Sequence, residues 1–129
     1  MDALVICRAG FLTVFITPGI SNHTINIIAV STEGMSKNAL MGSVATISVA
    51  KTQAFPENGG GIMATPTGAV IMACEGDAVH RYAGIVTPVG SRLAACVRAG
   101  VPLALSRYEQ GASNPKIIEL NIPQEEKCG

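Results

Sequence analysis

The chain has 129 residues, the size of a single domain spanning 1–129. Its 9 basic residues balance 9 acidic ones and are scattered, so no electrostatic footprint for nucleic acid is present. Hydrophobic residues make up 48% and charged residues 14%, yet the apolar runs stay far below the roughly 20 residues that span a bilayer, which argues against a membrane.

In chain order, Ala3 to Arg8 and Phe11 to Thr17 are β-rich apolar runs around Ala9-Gly10, the spacing of a tight hairpin. Residues 18–24 carry Pro18 and Gly19, then Ser21, Asn22, His23 and Thr24, a polar loop at a strand end. Ile25 to Ser31 is apolar at nearly every position and predicts an inner strand covered on both faces. After a turn at Glu33-Gly34, Ser36 can cap a helix running to about Phe55, with Leu40, Val44 and Ile47 on its apolar side. Pro56 to Gly61 reads as a loop that lacks the Lys-Ser/Thr ending of a phosphate-binding loop. Ala69 to Cys74 predicts a buried strand, followed by a polar turn from Glu75 to Asp77. Thr87-Pro88 starts a second helix with Leu93, Cys96 and Val97 on one face and Arg92 near the other, and Gly100 with Pro102 supplies its stop. Leu103 to Gln110 then forms a short further helix, and Ile117 to Ile122 an edge strand.

These elements predict an α/β (α+β) fold, a single mixed or antiparallel sheet packed with two main helices. Met1-Asp2 has no basic n-region behind it, so the expected address is cytoplasmic. The apolar excess predicts a homodimer or higher homo-oligomer.

Only two histidines, His23 and His80, can serve as neutral bases near pH 7; the competing reading of each is a surface or hydrogen-bonding role. Asn22, Ser21, Thr24 and Asn26 offer donors and acceptors suited to an amide or an oxyanion, and equally to a turn with caps. Cys7, Cys74, Cys96 and Cys128 lack ligand spacing and read as free thiols, so no metal and no cofactor is expected.

Several segments, in order, resemble the adenosylcobinamide amidohydrolase family. TPGISN at 17–22 and TINII at 24–28 resemble its T-x-G-x-S-N turn and G-T-I-N-I-I strand. ATISVAKTQAF at 45–55, MATPTGAVIMA at 63–73 and RYAGIVTPVGSRL at 81–93 follow its later helix, strand entry and Y-A-G segment. The resemblance implies hydrolysis of the amide that links aminopropanol to the corrin ring of adenosylcobinamide, with a corrinoid as partner. It implies that Asn22 polarises the amide, that His23 or His80 activates water, and that Ser21, Thr24, Asn26, Lys51, Thr65, Thr67 and Tyr82 bind substrate. The family pattern carries acidic residues where this chain has Val49 and Gly68. Their loss leaves open a non-catalytic descendant that binds a corrinoid or another bulky amide-bearing small ligand, or serves as a subunit of an assembly.

Overall fold

The computed structural model describes residues 3–18, 25–54, 68–112 and 114–122. Strands β1 (Val5–Ala9) and β2 (Leu12–Pro18) form the antiparallel hairpin expected from their spacing, with Ala9 opposite Leu12. Strand β3 (Ile25–Ser31) continues antiparallel to β2, from Pro18 opposite Ile25 to Leu12 opposite Ser31. A two-residue strand, β4 (Gly34–Met35), replaces the expected turn and leads into helix α1 (Lys37–Ala54). Strand β5 (Val70–Cys74) returns parallel to β3. The short β6 (Ala78–His80) pairs with β4 in a small second sheet. Helix α2 (Pro88–Glu109) is followed by β7 (Lys116–Glu119), which lies parallel to β1 at the edge. The main sheet is mixed, in the order β5-β3-β2-β1-β7, and with two helices it makes an α+β fold.

One core fills the space between the helices and a single face of this sheet. Val5, Cys7, Val14, Ile16, Ile25 and Ile27 point into it and meet Ile47, Leu93, Val97 and Val101, all fully buried. Period-two alternation does this: every second residue of each strand faces the helices.

Several expectations are corrected. β3 is covered on one face only, because Ile28 and Val30 are 43% and 38% exposed; β5 is half-buried in the same alternating way. α1 buries Ala39, Ser43, Ile47, Ala50 and Lys51, whereas Val44 faces out. α2 does not stop at Gly100 but runs 22 residues through Pro102. Gly100 has no room for a Cβ against the Ile16 side chain, and Val101 and Ala104 are fully buried. Tertiary packing there outweighs the roughly 3 kcal/mol cost of an interior proline. Arg92 is likewise buried, its guanidinium donating to the Pro88 carbonyl at 2.9 Å.

Both cap signals operate as expected. Ser36 Oγ accepts from Ala39 N at 3.0 Å, and Thr87 Oγ1 accepts from Gly90 N at 3.0 Å ahead of Pro88. No helix among the described residues is long and apolar enough to cross a membrane.

Candidate functional site at the start of two parallel strands

Because β3 and β5 are parallel and α1 connects them, the C-terminal turn of α1 ends beside the first residues of both strands. Lys51, in that turn, is 2% exposed, and its Nζ donates to the Ile25 carbonyl at 3.2 Å. Burial disfavours the ammonium and lowers its pKa below the usual 10.5.

Gly68 closes the same corner. Its φ of +123° lies where side chains are strained, and a Cβ there would collide with the Ile25 carbonyl oxygen and sit 3.1 Å from Lys51 Nζ. Only glycine allows this approach of the two strand entries. Next to it, Asn26 Oδ1 accepts from Ala69 N at 2.8 Å, and Ile27 N donates to the Ala69 carbonyl at 2.9 Å. Lys51, on the helix side of β3, and Asn26, whose side chain alternates to the other side, thus each fasten main chain at the entry of these two strands. Segments 19–24 and 55–67 join the described chain at this point, directly before Ile25 and Gly68. Ser21, Asn22, His23, Thr24, Thr65 and Thr67 belong to those segments and lie outside the described residues.

His80 sits at the opposite end of β3. Its Nε2 is 2.7 Å from Glu33 Oε1, and its ring stacks on Phe11 at 4.8 Å and 14°. Arg92 covers the same Phe11 ring, 5.2 Å from the centroid. Tyr82, 66% exposed, follows Arg81, whose carbonyl accepts from Ser36 Oγ at 3.1 Å and Asn38 Nδ2 at 3.3 Å. Those contacts are at the N-terminus of α1, roughly 20 Å along the helix from Lys51 at 1.5 Å per residue. Neither His80 nor Tyr82 joins the Lys51 corner.

Cys7 and Cys96 are buried free thiols, and Cys74 is a partly buried one. The hydrogen bond with Cys7, then burial, pushes the Cys96 thiol up, as suits a structural thiol. Sequence reasoning missed Gly68 as a structural feature of the site. A glycine directly before a β-rich run was the available signal.

The sequence model of the adenosylcobinamide amidohydrolase family matches residues 7–113, most of the chain. The chain belongs to this family. An adenosylcobinamide amidohydrolase of Methanosarcina mazei is 34% identical over 123 residues, covering 81% of this chain and 62% of its own length. One of Halobacterium salinarum is 33% identical over 97 residues, covering 74% of this chain and 41% of its own length. The chain therefore spans less than two thirds of either curated relative. No solved structure matches.

The two positions at which the resemblance leads us to expect an acid, 49 and 68, separate in space. Gly68 abuts Lys51, whereas Val49 is 54% exposed on the outer side of α1, in a groove with Thr46 and Ile85. Two residues along a helix amount to about 200° of rotation, so a side chain at position 49 points away from Lys51.

Proposed function

We propose that this chain is an amidohydrolase that cleaves the amide between aminopropanol and the corrin side chain of adenosylcobinamide, releasing adenosylcobyric acid. The observation that supports it is the packing of buried Lys51 and Gly68 on the Ile25 carbonyl, with Asn26 bonded to Ala69 N, at the start of two parallel strands, directly after the polar segments containing Asn22, His23, Thr65 and Thr67 in the sequence.

In this reading His23 takes a proton from water, and the resulting hydroxide adds to the amide carbonyl carbon. Asn22 and the Lys51 ammonium stabilise the oxyanion of the tetrahedral intermediate. Ser21, Thr24, Asn26, Thr65 and Thr67 hydrogen-bond the amide and neighbouring carboxamides of the corrinoid. Collapse breaks the C–N bond, and the His23 imidazolium returns its proton to the departing amine. His80 is given no part, because its Nε2 is engaged by Glu33 at the far end of β3. The reaction needs neither metal nor cofactor in this scheme, and a homo-oligomer working in the cytoplasm is the expected form.

Incubation with adenosylcobinamide tests the proposal. Adenosylcobyric acid and aminopropanol should appear in equal amounts. The glycine at 68 and the valine at 49, where the family pattern has acids, favour one second reading, a corrinoid-binding homologue without turnover. Micromolar binding with no product would establish that alternative.

A further inference from the structure

Alternation along the five strands leaves one sheet face turned away from both helices. In register across it stand Ile117, Ile6, Phe15, Ile28 and Ile71, one residue from each strand. Ile28, Ile71 and Ile117 are 43%, 50% and 53% exposed, and Ile6 and Phe15 are half-buried by their neighbours within the row. Adjacent strands are about 4.8 Å apart, so this is an unbroken apolar band about 20 Å long. The next row adds Val30 and Ala73, in register with each other. Among the described residues no element packs on this face.

We propose that this face is a self-association surface, covered by the same face of a second copy in a two-fold dimer. Charge selects the occupant. Within the strands, the charged side chains that alternate onto this face are Arg8 and Glu119, at its β1–β7 edge, and they pair with each other at 3.5 Å. A charged partner would find no counter-charge there, whereas two copies bring together neutral apolar rows without burying an unpaired ion.

Area is consistent with that occupant. A five-stranded face four to five residues deep presents roughly 400 Å² in projection, and two such faces bury on the order of 1,000 Å², where specific dimers begin. Two twisted sheets stack about 10 Å apart with strands within about 30° of alignment, so the two apolar bands can cross and interdigitate. An isologous contact of this kind closes at two subunits. The proposal is independent of the catalytic reading.

Sedimentation velocity on the whole chain, from about 1 to 100 µM, is the test. The expected result is a dimer at the upper end. The double variant Ile28→Lys/Ile71→Lys should be a monomer with an unchanged far-ultraviolet circular dichroism spectrum, since neither side chain touches the helices. Val86→Lys, on the exposed turn before α2, should remain a dimer. Carbene footprinting of the unaltered chain gives a readout that does not depend on a variant folding: labelling of Ile28, Ile71 and Ile117 should fall as concentration rises. A monomer throughout the range, a higher oligomer, a dimer that survives the double substitution, or one that is lost with Val86→Lys overturns the proposal.

Discussion

Each end of β3 carries a group of polar side chains, and the two differ in what those groups hold. At the start of the strand, Lys51 and Asn26 hold main chain: the Ile25 carbonyl and the Ala69 N–H. Past its end, Glu33 and His80 hold each other, with Phe11 and Arg92 stacked behind. The second group is a closed set that fastens β6 and the hairpin tip to the segment after β3. The first fixes the geometry of two strand entries from which the family's polar motifs extend. Hydrogen-bond density alone does not separate a site from a brace; what each group is bonded to does.

Four substitutions sharpen or break that contrast. The largest effects are expected at the residues given roles in the proposed chemistry. His23→Gln should lower turnover of adenosylcobinamide by about 100-fold or more, the worth of a positioned base, and Lys51→Met by a similar or larger factor if its charge meets the oxyanion. In steady-state assays the loss should fall on kcat. A rate unchanged in Lys51→Met would remove the Lys51 corner from the chemistry, and one unchanged in His23→Gln would remove the proposed base.

Gly68→Ala should destabilise the fold by about 1–3 kcal/mol, through a strained positive φ and the collision with Ile25. A melting temperature equal to that of the unaltered chain would mean that the strand entries are not so close.

The ionisation of Lys51 gives a pH signature. Its native pKa lies below that of the unfolded chain, so between the two values the unfolded state holds more protons and stability rises with pH. Denaturant midpoints should therefore climb as pH approaches 10.5 from below. Lys51→Met should flatten that slope.

The smallest effect is expected at the other end. His80→Gln should leave turnover within about threefold and cost about 1 kcal/mol or less, as suits a pair whose carboxylate is half exposed. A loss near 100-fold would reverse the assignment of the two ends.

Local signals in the sequence located much of this architecture. The hairpin followed from two β-rich runs and a short gap, and both helix starts from Ser36 and from Thr87-Pro88. What stayed hidden depends on distant contacts. Gly100 and Pro102 read as a stop because the Ile16 side chain that seats Gly100 is more than 80 residues away. β3 read as doubly covered because an apolar run looks the same whether its outer face meets a helix or faces out. For the site, Lys51 was legible only through the family motif. Its burial and its grip on Ile25 arise from a crossover that no local pattern encodes.

The pairing of β7 with β1 has a kinetic consequence. Lys116 to Glu119 hydrogen-bond beside Val5 to Arg8, which joins stretches more than a hundred positions apart. Loop closure over that distance is slow to find and contributes strongly to contact order. On a ribosome, β1 can pair with β2 within seconds of synthesis, but its other edge must wait until nearly all the described sequence has been made. During that interval β1 offers unpaired N–H and C=O groups to any neighbouring nascent chain. Yield of folded protein should therefore depend more steeply on expression rate and temperature than the stability of the finished fold would suggest.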